Sequence, residues 1–404
     1  MCSAAVAGGG PAGSFFALNL AKRGVDVTVF EEHSQVGLPS HCTGHLSIRG
    51  LRNLGLYPLP EGIVENTFSA ANFYSSTGTK FNVSLSKPVT CVINRSKFDA
   101  YLRDMAKNAG VEYVLSTPVR SLLVEDGFVR GLEVARGDGS EVRFPAKLVV
   151  DAEGISSRLL RQAGLQPLNP AGLVYGVEAE VENVKDLEEN TVEVYVGKDY
   201  APGFYGWIVP RTDGSAKVGL ATQNGNPKEF LDRFMRHHSV ASRQLKNSKV
   251  RNMVFHAITL GGPIQKTYRN GFLAVGDCAS QVKPTTGGGV IFSLTCAKIA
   301  ADVGAESLRK NDLSSVALAA YQKRFMNLLG FDVGIMLKAR KAINSFSDEK
   351  IDHAMRFALK VGFDKSLRDV DEIDFQGHTL ISMIRKPVSY ATLTYLIALY
   401  FLSS

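Results

Sequence analysis

Cysteine is scarce in this sequence and is never grouped. The 404 residues include only five cysteines, Cys2, Cys42, Cys91, Cys278 and Cys296, and no two of them have the C-x-x-C spacing. Because zinc and iron–sulfur sites are usually built from such pairs, we expect no metal site of either kind. Scattered thiols, odd in number, also favour a reducing compartment, and the predicted location is the cytoplasm.

The sequence also has no basic run interleaved with aromatic residues, the pattern typical of nucleic-acid-binding segments. We therefore expect no nucleic-acid partner. The net charge is nevertheless +7. A charge of this size fits an ordinary solvated surface, and it also fits attraction to an anionic partner, either phospholipid head groups or an acidic electron carrier.

No uninterrupted run of about 20 apolar residues, the length of a membrane-spanning helix, occurs in the sequence. The C-terminal segment 387–404 is uncharged but contains serine and threonine. It is typical of a buried or dimer-forming helix, or of an interfacial helix with Arg385 and Lys386 facing anionic lipid. The first predicted strand begins at Ala4, so we expect no signal peptide.

What the sequence does have is a glycine-rich segment near its N-terminus. Gly8, Gly10 and Gly13 give the G-x-G-x-x-G spacing between a predicted strand and a predicted helix, and the next strand ends at Glu31. The three glycines suit a tight turn, a close approach to pyrophosphate and close helix–strand packing. The helix N-terminus offers unpaired N–H groups to phosphate, and Glu31 can accept hydrogen bonds from ribose. The segment predicts an ADP-binding site.

A second glycine-rich segment lies far along the chain, at residues 271–301. A predicted buried strand leads to Gly276 and Asp277, and Gly287–Gly289 then precede a long predicted helix. The aspartate can hold ribityl hydroxyls, and the helix N-terminus suits negative charge on a flavin ring. Two such signals at opposite ends of one chain favour FAD, an extended dinucleotide.

Between these segments the sequence pattern changes from alternating to helical and back. Alternation over 68–93, with a turn at 76–78, predicts a β-hairpin, and alternation over 173–222 predicts an antiparallel sheet. Helical spacing predicts helices over 96–109, 227–237 and 289–306, and a helical region from 312 onward. The chain is therefore predicted to be α/β with an α+β second domain.

Four motifs occur in the order found in FAD proteins of the p-hydroxybenzoate hydroxylase type, and the chain resembles that superfamily. They are the N-terminal glycines with Glu31, the run R-x-x-F-D-x-x-L from Arg95, Asp151-Ala-Glu-Gly154 with Ser157, and Gly276-Asp277 with Pro284 and Gly287-Gly288. The superfamily usually has Asp-Gly in the third motif, so Glu153-Gly154 is a departure, which weakens any inference about NADPH handling there.

Within that superfamily the chain is similar to the geranylgeranyl reductases, especially the archaeal enzymes. The run EEHSQVGLPSHCTGHLS (31–47) resembles their acid, Gly-x-Pro and Cys-x-Gly pattern. The run PGFYGWIVP (202–210) resembles their P-x-x-Y-x-W-x-F-P, with Val209 where phenylalanine is usual. The resemblance covers roughly residues 1–310.

The resemblance implies a Rossmann-like FAD-binding domain of p-hydroxybenzoate hydroxylase type (1–65, 90–160 and 265–310). It also implies an inserted antiparallel β-sheet substrate domain (66–89 and 161–264) and a C-terminal helical region (311–404). The implied cofactor contacts are Gly8, Gly10, Pro11, Ala12, Gly13, Glu31, Glu32, Cys42, Gly44, Arg95, Val119, Gly154, Gly276, Asp277, Gly287, Gly288 and Gly289.

The resemblance also assigns Cys42 a catalytic role. A thiol with a pKa near ~8.5 is a poor acid toward an unactivated alkene, so positioning or flavin tuning is an equal alternative to proton donation. Tyr205, Trp207 and His45 are implied substrate contacts, although Tyr205 and Trp207, two apart on one strand face, also fit a sheet core.

The implied function is an FAD-dependent reductase of geranylgeranyl chains on archaeal-type phospholipids, by hydride transfer from flavin N5. The expected electron donor is NADPH or a small redox protein, and we expect peripheral membrane contact. A flavin monooxygenase or halogenase stays an alternative, since Tyr205, Trp207, Val209 and Pro210 approach the halogenase pattern W-x-W-x-I-P. A non-catalytic prenyl-lipid-binding protein is the second alternative.

Overall fold

The computed structural model describes residues 2–137, 139–368, 372–384 and 387–401. Its strands are β1 (Cys2–Ala7), β2 (Val27–Phe30), β3 (His45–Ser47), β4 (Val64–Phe68), β5 (Ala70–Tyr74), β6 (Lys80–Ser84), β7 (Thr90–Ile93), β8 (Glu112–Val114), β9 (Val119–Glu125), β10 (Phe128–Ala135), β11 (Glu141–Asp151), β12 (Leu173–Glu182), β13 (Thr191–Val196), β14 (Tyr205–Pro210), β15 (Ala216–Thr222), β16 (Lys249–Thr259), β17 (Tyr268–Arg269) and β18 (Phe272–Ala274). Its helices are α1 (Pro11–Ala21), α2 (Ile48–Asn53), α3 (Arg95–Asn108), α4 (Arg158–Gln162), α5 (Pro227–His237), α6 (Ala241–Gln244), α7 (Val290–Arg309), α8 (Ser315–Ser345), α9 (Asp348–Lys360), α10 (Phe363–Ser366), α11 (Gln376–Ile384) and α12 (Pro387–Phe401).

The chain divides into two compact units, and unit 1 comprises residues 1–40, 95–172 and 259–333. Its sheet has the order β17-β18-β11-β1-β2-β8, and β1 pairs in parallel with both β11 and β2. Helix α1 packs against α3 and α7. Parallel strands are covered on both faces, which is why runs such as 4–6 and 148–150 are entirely apolar and fully buried. Strands β9 and β10 extend β11 as hairpins.

Unit 2 comprises residues 41–94, 173–258 and 334–404. Its seven-stranded sheet has the order β16-β12-β15-β14-β13-β5-β6, and β3, β7 and β4 form a smaller sheet. The pairs among β12, β15, β14 and β13 are antiparallel, as the alternation predicts. The β13–β5 pair is parallel and joins the segment 191–196 to the predicted hairpin. Leu220, Leu231 and Phe234 are fully buried where α5 packs against this sheet.

Most elements lie where the sequence predicts them. The predicted helix over 227–237 is α5, the helix over 96–109 is α3 shifted by one residue, and the helix over 289–306 is α7, which continues to Arg309. Residues 41–65, assigned from the sequence to the FAD-binding domain, pack with unit 2. The functional division into domains stays a prediction.

The C-terminal region is helical, from α8 to α12, as predicted. No helix among the described residues is long and apolar enough to cross a membrane. In α12, Thr392 is buried and Tyr395 stacks on Phe357 of α9 with ring centroids 4.0 Å apart, whereas Tyr390 is exposed. Arg385 and Lys386, expected at the head of an interfacial helix, lie outside the described residues.

Candidate functional site

The loop after β1 requires glycine at two positions of the fingerprint. Gly8 has φ +102°, and a Cβ atom there would lie 2.4 Å from the carbonyl oxygen of Ala152. A Cβ atom on Gly13 would lie 2.0 Å from the carbonyl oxygen of Gly8. Neither space can hold a side chain, so the turn and the close approach of α1 to β1 both depend on glycine.

Helix α1 presents an open N-terminus at this loop. Gly10 is the N-cap residue, Pro11 occupies the first helical position, and no side chain caps the helix. A Cβ atom on Gly10 would meet no protein atom within 4 Å. The first amides of the helix and this open space therefore form the cradle expected for a pyrophosphate.

Glu31 lies at the end of β2 with its carboxylate held in place. It is 8% exposed, its Oε2 accepts a hydrogen bond from the Gly9 amide at 2.8 Å, and its Oε1 accepts one from the His33 amide at 2.9 Å. The ring Nδ1 of His33 also lies 2.6 Å from Oε1. Three of about four acceptor positions of the carboxylate are therefore used, and one remains for a ribose hydroxyl. The neighbouring Glu32 is exposed.

Arg95 and Asp99 form a nearly buried ion pair in the first turns of α3. Two guanidinium nitrogens of Arg95 contact the Asp99 carboxylate at 3.1–3.2 Å. Burial raises the pKa of Asp99, and the charge of Arg95 opposes that shift. Val119, the first residue of β9, is buried.

The second glycine-rich segment meets the first inside unit 1. A Cβ atom on Gly276 would lie 3.0 Å from the Cβ of Ala12 in α1, although the two residues are far apart in the chain. A Cβ atom on Gly289 would lie 3.2 Å from Asp277 Oδ1, and one on Gly288 would lie 2.7 Å from Lys283 Cε. Helix α7 begins directly after Gly289, with no capping side chain. The structure thus brings the two predicted nucleotide signals together.

Beside this cradle lies Asp151, a buried titratable group. From the sequence it was recognised only as part of a motif, with no individual role. It is fully buried at the end of β11, opposite Ala7 of β1. Its Oδ1 accepts a hydrogen bond from the Glu153 amide at 3.0 Å, and its Oδ2 has no hydrogen-bond partner among the described residues. Burial, together with the charge of Glu153, raises the pKa of Asp151 well above its ordinary value. Gly154 follows with φ +69°.

In unit 2 the segment around Cys42 is a short turn leading into β3. The Gly44 amide lies 3.4 Å from the Cys42 sulfur as a hydrogen-bond donor, and Gly44 has φ +74°. His45 is exposed, and its Nε2 lies 2.7 Å from the hydroxyl of Thr90 on β7. Cys42 is itself partly exposed, whereas Cys91, Cys278 and Cys296 are buried.

Tyr205 and Trp207 lie on one face of β14, as their spacing predicts. Their ring centroids are 5.9 Å apart with the planes at 68°, and both side chains are half-buried. The indole N–H of Trp207 donates a 3.0 Å hydrogen bond to Glu178 of β12. The half-buried placement fits a wall that can contact a ligand, and the substrate role stays a prediction.

Two charged residues near Cys42 were not predicted from the sequence. Glu178 of β12 accepts a hydrogen bond from the Thr43 hydroxyl, and Lys217 of β15 donates one to the Thr43 carbonyl oxygen at 2.9 Å. Glu178 is 9% exposed and Lys217 is 4% exposed. The sequence signal that could have revealed such residues is a charged side chain inside an otherwise apolar strand, such as Lys217 in AKVGLAT (216–222).

The family follows from comparison with known proteins. A family model described as FAD binding domain matches residues 1–297. The chain is also 35% identical to digeranylgeranylglycerophospholipid reductase 2 of Methanopyrus kandleri over 391 residues, which cover 95% of both chains. The chain belongs to the digeranylgeranylglycerophospholipid reductase family. Its cofactor is FAD, as predicted.

Solved structures confirm the fold of this reductase family member. A geranylgeranyl bacteriochlorophyll reductase-like protein from Thermoplasma acidophilum matches with a TM-score of 0.87 and 24% identity, covering 97% of this chain and 98% of that one. The myxobacterial chondrochloren halogenase matches with a TM-score of 0.70 and 18% identity, covering 100% and 96%. The halogenases therefore share the fold at greater structural distance.

The residues of unit 1 fit FAD. The glycine-lined space at Gly10, the uncapped N-termini of α1 and α7 and the fixed carboxylate of Glu31 are the groups that a dinucleotide needs. Glu31 would hold the ribose, the α1 amides the pyrophosphate, and Asp277 the ribityl chain. These residue assignments stay predictions.

Proposed function

We propose that this chain is an FAD-dependent reductase that saturates the carbon–carbon double bonds of geranylgeranyl chains on archaeal-type membrane phospholipids. The observation that carries the proposal is the 35% identity to a digeranylgeranylglycerophospholipid reductase over 95% of the chain, which includes both units. The FAD cradle of unit 1 supports it, because the reduction needs a bound hydride donor.

The chemistry sets clear demands on the protein. Reduced FAD supplies a hydride when it is bound, and an acid must supply the proton for the second carbon. An isolated trisubstituted alkene has no carbonyl group to stabilise an anion, so protonation that runs ahead of hydride transfer is the favoured path. The protein must therefore hold an acid beside an apolar, dry chain.

Cys42, His45, Tyr205 and Trp207 are the residues that we assign to the substrate side. The half-buried aromatic pair of β14 supports contact with an apolar chain. Cys42 is partly exposed as a residue, which is compatible with a role in positioning or proton transfer. We further propose NADPH or a small redox protein as the electron donor and peripheral contact with the membrane that holds the substrate.

The test is an anaerobic turnover experiment. The purified protein is expected to be yellow, to bleach with dithionite, and to be reoxidised by a digeranylgeranylglycerophospholipid under nitrogen. The product should gain two hydrogen atoms for each double bond reduced. A flavoprotein that leaves the lipid unreduced under nitrogen but oxygenates or halogenates an aromatic substrate in air would instead be a monooxygenase or halogenase. A colourless protein that binds the lipid would be a non-catalytic lipid binder.

A further inference from the structure

A buried carboxyl group connects the Cys42 turn with the aromatic pair. Oε2 of Glu178 accepts hydrogen bonds from the hydroxyl of Thr43, the residue after Cys42, and from Nε1 of Trp207. These are the hydrogen bonds that the described residues donate to this carboxyl group, and the same oxygen, Oε2, accepts both of them. Glu178 is only 9% exposed, so this is a desolvated position between two segments to which we assign roles in the reaction.

The sheet is built to make this contact. Glu178, Gly219 and Trp207 lie side by side on β12, β15 and β14. A Cβ atom on Gly219 would lie 2.5 Å from Cζ2 of Trp207. The indole therefore lies across the bare backbone of Gly219, and this lets its N–H group reach the carboxyl of Glu178.

Lys217 fixes the same turn from another direction. Its Nζ donates to the carbonyl oxygens of Thr43 at 2.9 Å and Ile93 at 3.2 Å, and it pairs with Glu65 Oε2 at 2.9 Å. Thr43 is therefore held through its backbone by Lys217 and through its hydroxyl by Glu178. The positive charge of Lys217 forms a close ion pair with Glu65 and also acts on Glu178.

The environment favours the protonated form of Glu178. Burial raises the pKa of its carboxyl, and the Thr43 hydrogen bond, the charge of Lys217 and the Trp207 hydrogen bond only partly offset this. The charge of Glu180 raises it further. Among the described residues on neighbouring elements, Arg211 pairs with Glu65 and Glu180, Arg251 pairs with Glu182, and His256 stacks on His41.

We propose that Glu178 holds the proton that the alkene reduction consumes and that the Thr43 hydroxyl relays it toward the Cys42 turn. The inference rests on the proposed function. As the π bond breaks, one carbon receives a hydride, supplied by reduced FAD, and the other receives a proton through Thr43. When Glu178 is protonated, its Oε2–H donates to the hydroxyl oxygen of Thr43, whose own hydrogen then turns toward the alkene. As Thr43 gives that hydrogen to carbon it takes the proton of Glu178 Oε2, and water reprotonates the carboxylate before the next double bond. An ordinary carboxylic acid is a stronger acid than a thiol, so a carboxyl group is a better proton source for the alkene than Cys42 alone.

Single-turnover reoxidation tests the proposal. Dithionite-reduced holoenzyme is mixed anaerobically with a digeranylgeranylglycerophospholipid, and flavin absorbance is followed against pH. Glu178→Gln keeps the shape and an acceptor oxygen, yet we expect reoxidation about 100-fold slower, since general acids contribute 10²–10⁴-fold. Glu178→Asp should retain part of the rate. Thr43→Val should be slowed as Glu178→Gln is, and Thr43→Ser, which keeps the hydroxyl, should recover part of the rate that Thr43→Val loses.

The outcomes separate the two proposals. If the lipid does not reoxidise the unmodified enzyme, the proposed function is wrong. If it does so, and Glu178→Gln reacts at the same rate with the same pH profile, the proton-holding role of Glu178 is wrong while the function stands.

A second readout needs no turnover. Trp207 is the only tryptophan in the sequence, so its fluorescence reports on the hydrogen bond to Glu178. We expect a pH-dependent change with a midpoint above the ordinary glutamate pKa of about 4.3, absent in Glu178→Gln. A protein that folds normally but shows no such step would contradict the proposal.

Discussion

At the scale of single residues, a substitution at Gly10 is expected to affect cofactor binding without affecting folding. A Cβ atom at this position would touch no protein atom, and the residue has an ordinary φ of −61°. We therefore expect Gly10→Ala to fold with an unchanged apoprotein melting temperature. Its FAD affinity should fall about tenfold or more, a loss of about 1.4 kcal/mol, because the methyl group occupies the space of the pyrophosphate.

Fluorescence titration of apoprotein with FAD measures this, and Gly137→Ala is the matched control. A Cβ atom on Gly137 also meets no protein atom, but that residue lies in the turn between β10 and β11, away from the cradle. Equal affinities of the two variants would show that the α1 N-terminus does not hold the pyrophosphate.

Gly219 differs from Gly10, because other protein atoms already occupy the position that a Cβ atom would take. We expect Gly219→Ala to cost about 1–3 kcal/mol of the free energy of unfolding, since the new methyl group overlaps the indole of Trp207 and the Val177 carbonyl oxygen. Urea unfolding measures the loss, and tryptophan emission should shift as the ring leaves Glu178. Gly206→Ala on the adjacent strand meets only ordinary contacts of 3.4 Å or more and should lose far less.

At the scale of elements, Asp352 attaches α9 to the turn between β5 and β6. Its Oδ1 accepts hydrogen bonds from the hydroxyls of Ser75 at 2.7 Å and Thr77 at 2.6 Å, and its Oδ2 pairs with Arg356. Although burial alone would raise the pKa of Asp352, the hydrogen bonds from these groups hold it below its ordinary value. A lowered pKa means that the stabilisation is present above the unfolded-state pKa of about 3.9 and is lost as the pH falls toward the folded-state pKa.

We therefore expect Asp352→Asn to lose about 1.5–3 kcal/mol of unfolding free energy at pH 7, the range for hydrogen bonds to a charged group. The difference from the unmodified protein should shrink as the pH is lowered below about 4. Denaturant unfolding at several pH values measures it. Asp232→Asn on α5 removes an exposed pair with Lys228 and should change stability by less than about 1 kcal/mol. A pH-independent difference for Asp352→Asn would contradict the assignment.

Elements with local signals were predictable, and long-range pairings were not. Helix α5 begins where predicted because Asn226 caps it and Pro227 suits its first position. The glycines at 8, 10 and 13 were recognised because the tight turn, the approach to pyrophosphate and the close helix–strand packing require glycine at this spacing. The parallel pairing of β13 with β5 has no local pattern, so it was missed. The place of Glu178 was missed for the same reason, because it depends on the register of β12, β15 and β14.

At the scale of the whole molecule, the predicted site residues fall into two sets that the fold keeps in different units. The nucleotide motifs gather in unit 1, whereas Cys42, Tyr205 and Trp207 belong to unit 2. The full-length identity to a digeranylgeranylglycerophospholipid reductase covers both sets. A binding fingerprint alone fits many enzymes, and the residues that we propose for the substrate side lie in the second unit.

The net charge of +7 leads to a prediction for the whole molecule at a membrane. A reductase of phospholipid chains must meet its substrate at a bilayer, and a cationic protein is attracted to anionic head groups. We expect the holoenzyme to co-sediment with vesicles of phosphatidylglycerol and not with vesicles of phosphatidylcholine. Binding should weaken steeply between about 0.1 and 1 M salt, because the Debye length falls from about 10 Å to 3 Å. Binding that is equal for both lipids and insensitive to salt would assign the contact to apolar insertion instead of charge.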